Sequence, residues 1–297
     1  MLPGTMRREP PPQVYFVFSA VFHYLGPAFA VLLFARVQPL GVAWLRIASA
    51  AAILGLWRRR IVLSRLVVAW GAVLALMNCC FYVAIDRLPL GTVAAIEFLP
   101  VIVLAAAGAR TVRNGAALAL AVPGVYVLAD VRLEGEPLGV ALAFANALLF
   151  ALYIVLAHRV AQHASIGGID GLAASMLIAA IVVTPMAGWA AVPALTDPVA
   201  LAAGVGVGVS SSVIPYIADQ LAMARLTRAA YALMVSLLPA TATVIGVIVL
   251  AQIPSAREAA GVALVVAGVA LHREARPARN ESARGQHRAE HEQPASA

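Results

Sequence analysis

The residues of this chain that could do chemistry are charged side chains inside long apolar runs. Arg46 and Glu97 each sit in such a run, His23 lies near the middle of another, and Asp219 is close to the end of a fourth. A central Arg or Asp costs a bilayer-spanning helix about 2.5–3.5 kcal/mol on insertion scales, so each charge needs a partner or a purpose. Arg46 and Glu97 are both about two turns into their runs, roughly 10 Å deep at 1.5 Å per residue. Equal depth allows them to pair. The alternatives are a structural ion pair, or a carboxylate that exchanges a proton while the arginine holds a substrate carboxylate. His23 could bind substrate, relay protons or hydrogen-bond to a neighbouring helix. Asp219 can reach water or Arg225 and reads as a snorkelling side chain. Among uncharged polar residues, Asn78, Tyr82, Asn146, Tyr153, Tyr216 and Ser236 are candidates to line a substrate cavity. The alternative for each is an interhelical hydrogen bond or an interfacial tyrosine.

Covalent catalysis has no comparable support. All 21 basic residues are arginine, which excludes a lysine-bearing phosphate loop and any Schiff base. There is no HExxH, no paired set of metal ligands, and no nucleophile with a base and an orienter at workable spacing. We therefore expect no enzyme, no cofactor and no metal. Cys79 and Cys80 are adjacent within an apolar stretch and read as small buried hydrophobes. The net charge of +7 could suggest nucleic acid, but arginines at the edges of apolar runs are better explained by membrane orientation. No nucleic-acid partner is expected.

The elements that must position these residues are membrane helices. The chain is 62% hydrophobic and 12% charged, against roughly 25% charged in soluble domains. Ten apolar runs are long enough to cross a hydrocarbon core of about 30 Å. They run from Val14 to Ala35, Leu40 to Trp57, Leu66 to Ile85, Leu90 to Ala109, Val112 to Asp130, Leu138 to Ala157, Ile169 to Val192, Val199 to Ala222, Ala229 to Ala251 and Pro254 to Leu271. Counting arginines in alternate loops puts 16 on one side and 4 on the other, which predicts ten spans with both termini cytoplasmic. The first run is too long for a signal-peptide core and is expected to remain. Residues 1–13 form a cytoplasmic segment, and residues 272–297, almost without apolar side chains, predict a disordered cytoplasmic tail.

Spans five and ten are similar. Arg113 to Val127 aligned with Arg257 to Leu271 gives seven identities in fifteen positions, including Gly124 with Gly268. A second register pairs Ala84, Arg87, Leu88 and Ala94 with Ala222, Arg225, Leu226 and Ala232. A repeat of five crossings enters the membrane upside down in its second copy. The predicted fold is thus an all-α integral membrane protein, ten transmembrane helices in two inverted five-helix repeats, residues 14–130 and 138–271. Inverted repeats place a substrate site near the midplane and open to alternate sides, as secondary transporters do. Pro100, Pro215 and Pro239 each remove a backbone hydrogen bond and are candidate gating bends. The run Gly204-Val-Gly206-Val-Gly208-Val-Ser210-Ser211-Ser212 looks like a glycine loop, but inside a span it predicts close helix packing.

The stretches AIDRLPLGTVAAIEFLPV (Ala84 to Val101), LLFALYIVLAHRV (Leu148 to Val160) and SLLPATATVIGVIVLAQIPSAREAAGVALVVAGVAL (Ser236 to Leu271) resemble the EamA family of the drug/metabolite transporter superfamily. Within it, the branch of threonine and homoserine exporters is the nearest match. The resemblance implies a bacterial inner-membrane exporter of small metabolites driven by a proton gradient. It places Arg46 at the branch's second-helix arginine, Glu97 at its fourth-helix Glu-Phe and Pro239 at its ninth-helix proline. Leu238 and Gln252 stand where that branch often has acidic residues, and Pro100 comes one residue early. The partners this implies are a small-molecule substrate, protons, the lipid bilayer and a second copy of the chain as a homodimer. Amino acids or their derivatives are the expected cargo. The alternatives are a drug or other metabolite exporter, a passive channel, and a membrane-embedded enzyme.

Overall fold

A computed structural model describes residues 12–58, 62–100, 111–133, 136–163, 166–223 and 238–271, and every regular element among them is helical. The helices are α1 (Pro12–Leu33), α2 (Pro39–Trp57), α3 (Arg65–Arg87), α4 (Leu90–Glu97), α5 (Val112–Leu133), α6 (Pro137–Gln162), α7 (Gly168–Leu195), α8 (Pro198–Gly208), α9 (Ile214–Met223), α10 (Leu238–Leu250) and α11 (Ala256–Leu271). A π-turn, Val209–Val213, joins α8 to α9. Among the described residues five helical stretches are long and apolar enough to cross a membrane: Pro39–Trp57, Arg65–Arg87, Pro137–Ala157, Gly168–Leu195 and Pro198–Ala218. Phe18–Leu33, Val112–Leu128 and Leu238–Leu250 are shorter apolar helices. Large apolar side chains such as Leu56, Ile181 and Ile248 point outward, an arrangement suited to lipid and costly in water.

Local chemistry sets the helix ends close to where the sequence puts them. Pro39, Pro137 and Pro198 occupy first-turn positions, where a missing N–H does no harm. Ser64 caps α3 by accepting from Val67 N at 3.2 Å. Ser255 and Glu258 form a reciprocal capping box at α11: Ser255 Oγ accepts from Glu258 N at 3.2 Å, and Glu258 Oε2 accepts from Ser255 N at 2.9 Å. Two of the ten runs depart from the simple pattern. The fourth is interrupted at Phe98, where the helix Leu90–Glu97 closes two residues before Pro100, a residue that cannot return a hydrogen bond to that turn; Leu99 and Pro100 are again helical and are the last described residues of the run. The eighth stays helical but is widened by the π-turn just before Pro215. The start of the ninth run, both terminal segments and Ser236 lie outside the described residues.

The helices α5 and α11 make the closest pairing, followed by α2 with α7 and α3 with α6 and α7. In turn α1 packs on α9 and α10, α2 on α8, and α4 on α10 and α6. At the α5/α11 crossing a Cβ on Gly124 would lie 2.8 Å from the Gly261 carbonyl oxygen, and one on Gly268 would lie 2.7 Å from the Ala117 carbonyl oxygen. These two contacts are backbone against backbone and cannot yield. Ion pairs tie α2 to α7 at both ends. Arg36 Nη1, before α2, meets Asp197 Oδ2, after α7, at 3.2 Å. Arg58 Nε, after α2, meets Asp170 Oδ1, in the first turn of α7, at 2.6 Å. The two helices therefore run antiparallel. Asp197 also caps α8, and the Ala200 amide foremost, then that of Val199 and the Arg36 guanidinium, hold its carboxyl below the usual aspartate range. Its contribution is therefore present above that range and lost as pH falls through it.

We expect Gly124→Ala and Gly268→Ala to destabilise the detergent-solubilised protein by about 1–3 kcal/mol each, the usual cost of overpacking. Gly115→Ala in the same α5 helix meets nothing within 4 Å and should be neutral or mildly stabilising. Thermal unfolding of the three variants checks this, and equal melting shifts would refute the close-approach account.

Candidate functional site

Glu97 ends α4 and Arg46 lies mid-way along α2, each about 5% exposed. Both line one small internal cavity, with His23 and Pro27 from α1, Met77, Asn78 and Phe81 from α3, Asn146 and Phe150 from α6, and Tyr216 from α9. Its volume is about 20 Å³, room for roughly one water. Six of the nine substrate or proton-coupling candidates meet there: His23, Arg46, Asn78, Glu97, Asn146 and Tyr216. Tyr82 is buried one layer behind, its ring beneath the Arg46 guanidinium at 5.6 Å. Tyr153 also sits behind the wall, near-parallel to Phe150 at 6.0 Å and within 6.1 Å of Tyr216.

Arg46 and Glu97 do not form the ion pair that their equal depth suggested. Glu97 Oε1 accepts from Asn146 Nδ2 at 3.0 Å. Arg46 Nε donates to Ser212 Oγ at 2.8 Å, and Nη2 donates to the Ser211 carbonyl at 2.8 Å and, more loosely, to Tyr216 OH at 3.5 Å. Depth along a helix does not fix direction around it, and here neutral groups reach each charge first. A buried anion and a buried cation thus share a cavity while each keeps unused capacity. That is an arrangement for binding a ligand with both charges, or for exchanging one charge for another.

Other expectations resolve one by one. His23 is half-buried, with ring neighbours Tyr24 at 5.5 Å and Tyr216 at 6.1 Å. Asn78 Nδ2 donates to Leu74 O at 2.8 Å, which commits one of its two amide hydrogens to its own helix. Gly204 abuts Leu45, and Gly208 abuts the Arg46 backbone and Ser49, the close packing predicted for that run. Cys79 and Cys80 are free thiols within α3, Cys79 buried. Among the described residues no group of three or more His, Cys, Asp or Glu could hold a metal ion. The Asp219 side chain lies outside the described residues. Gln252 Oε1 accepts from Leu90 N at 3.0 Å and caps α4, a task that needs an acceptor rather than a charge. Sequence reasoning missed Met77, Phe81 and Phe150 as wall residues and Ser211 and Ser212 as partners of Arg46. The only signal was helical spacing: Phe81 is three residues from Asn78, and Phe150 four from Asn146.

Comparison with known proteins places this chain in a family. Residues 137–273 match the EamA-like transporter family. The threonine/homoserine exporter RhtA of Salmonella typhimurium (strain SL1344) is 30% identical over 263 residues, which cover 84% of this chain and 88% of the relative. The chain belongs to the EamA-like transporter family. The threonine/homoserine exporter RhtA of Escherichia coli (strain K12) is 29% identical over the same coverage. A solved crystal structure shares the fold with a TM-score of 0.60 at 20% identity, covering 87% of this chain and 95% of that one.

Replacing Asn146 with Leu removes the donor to Glu97 and leaves a buried carboxylate oxygen without a partner. We expect a loss of about 1–3 kcal/mol in stability, the usual cost of orphaning a buried acceptor. An unchanged melting temperature for Asn146→Leu in detergent would mean that Glu97 does not depend on this amide.

Proposed function

We propose that this EamA-like transporter exports small zwitterionic metabolites, amino acids or close derivatives, across a bacterial inner membrane by proton antiport with alternating access. The observation that carries the reading is that Arg46 and Glu97 face one cavity without pairing. The cargo's carboxylate goes to Arg46, and its ammonium goes to Glu97 in place of a proton. Proton and ammonium are then alternatives for one carboxylate, so inward return of a proton drives outward movement of cargo. His23, Asn78 and Tyr216 complete the polar wall, while Met77, Phe81 and Phe150 accept an apolar side chain. The names of the exporter relatives support the amino-acid class.

The helix pairings support a two-repeat architecture. Exchanging the first five spans for the last five turns α3/α6 into the pairing of the eighth span with α1, and turns α4/α10 into itself. The α5/α11 crossing follows the same rule: contact Gly124–Gly261 becomes Gly268–Ala117 in the repeat alignment, and both occur. Arg36–Asp197 and Arg58–Asp170, at opposite ends of α2 and α7, are suited to closing the two mouths in alternation. A cavity with room for roughly one water must expand to admit cargo, as alternating access requires. With the arginine-rich side inward, both termini are cytoplasmic.

The test is Glu97→Gln in proteoliposomes, which keeps the hydrogen-bond geometry and removes the exchangeable charge. We expect threonine flux driven by an imposed proton gradient to fall at least tenfold. Gradient-driven flux equal to wild type at normal protein levels would reduce Glu97 to a structural group.

A further inference from the structure

The Arg46 guanidinium is held along one edge only. Nε and Nη2 form a fork onto Ser212 Oγ and the Ser211 carbonyl, each at 2.8 Å. Both acceptors belong to the π-turn, where Ile214 N bonds Val209 O five residues back. The Ser211 carbonyl is the acceptor that an uninterrupted α-helix would give to the N–H of residue 215. Residue 215 is proline and has no N–H. Arg46 supplies the missing donor from another helix. The turn is fixed from both sides: Ser19 Oγ of α1 donates to Pro215 O at 3.2 Å, and a Cβ on Gly26 of α1 would lie 2.8 Å from Ser211 N.

The consequence lies on the opposite edge. Among the described residues no hydrogen bond is formed by Nη1, the buried Tyr82 hydroxyl lies close to the guanidinium without meeting hydrogen-bond geometry, and the other hydrogen of Nη2 has only the 3.5 Å contact to Tyr216 OH. The free Nη1/Nη2 edge is the one that matches a carboxylate with two parallel hydrogen bonds. We propose that Ser212, which accepts from Nε, and Pro215, which leaves the Ser211 carbonyl free to accept from Nη2, are positioning residues that hold the Nε/Nη2 edge of Arg46 and leave its Nη1/Nη2 edge as the carboxylate subsite. The rotamer freedom of the arginine is thereby lost on folding rather than on binding. The inference rests on the reading of Arg46 as the carboxylate receptor. It also explains why Arg46→Lys is a poor probe, since lysine loses the fork and the subsite together.

Two changes that leave the subsite atoms in place separate these roles. Ser212→Ala removes one acceptor from the fork. Pro215→Ala restores an N–H that competes for the Ser211 carbonyl. In proteoliposomes loaded with L-threonine, each should raise KM about tenfold with little change in maximal rate, the loss of one charge-assisted hydrogen bond. Ser212→Thr keeps the hydroxyl and should return KM to within about twofold of wild type. L-threonine amide, which has no carboxylate, should respond equally in all variants. A purely structural role would instead lower maximal rate for both probes and spare the KM difference. An unchanged threonine KM in both Ser212→Ala and Pro215→Ala overturns the inference. If Pro215→Ala does not accumulate, the Ser212 pair decides alone. Arg46→Ala run in parallel tests the reading beneath it: threonine export unaffected by that change refutes the receptor itself. A wild type that moves no threonine refutes the cargo class. Solvent exchange of the Arg46 Nε–H, measured by NMR on 15N-arginine protein, then decides the positioning role, which requires slow exchange in wild type and Ser212→Thr and fast exchange in Ser212→Ala.

Discussion

A guanidinium and a carboxylate buried in an apolar bundle each incur a large desolvation cost, and the usual remedy is to pair them. Here each is stabilised by neutral groups instead, Glu97 by the Asn146 amide and Arg46 by the serine face of a π-turn. Paired charges would cancel and leave nothing for cargo to neutralise. Unpaired, each charge keeps hydrogen-bonding capacity toward the cavity that both line. The helices that meet at the cavity, α1, α2, α3, α4, α6 and α9, are those needed to keep the two charges near each other but apart.

That separation depends on close packing elsewhere. Glycines let backbones approach at the places where the charged residues are set: Gly208 against the Arg46 carbonyl, Gly26 against Ser211, and Gly91, six residues before Glu97, against Thr243. A lipid-facing bundle gains nothing from water exclusion between helices, so such small-residue contacts and interhelical hydrogen bonds carry the association. The aromatic layer behind the cavity, Trp70, Tyr153 and Tyr82, packs between α3, α6 and α2. The two ion pairs along α2 and α7 are solvent-exposed or partly so at the helix ends, and so contribute little to stability by themselves.

Much of this was legible in the sequence, for physical reasons. Membrane helices declare themselves because a bilayer forces every backbone group to bond within its own segment, so apolar run length maps onto helix length. Polar residues in spans are costly, so His23, Arg46, Asn78, Glu97, Asn146 and Tyr216 could be picked out singly, and they share a cavity. What sequence could not supply was azimuth. Arg46 and Glu97 at equal depth suggested a pair, yet their directions around α2 and α4 give each a different partner. Phe81 and Phe150 are indistinguishable by type from lipid-facing phenylalanines such as Phe29. Pro215 was read as a bend, but its link to Arg46 depends on a long-range contact between α2 and the π-turn that no local pattern encodes.

The central claim is that cargo and proton compete for the cavity through Glu97. The most direct test is the number of protons released per L-threonine bound to the purified protein, obtained by calorimetry in buffers of different ionisation enthalpy as pH is stepped from above neutrality into the acid range. The account requires proton release on binding that rises as the pH is lowered and is absent in Glu97→Gln, with His23→Gln retaining it. Binding that releases no protons at any pH, or releases the same number in wild type and Glu97→Gln, would contradict it.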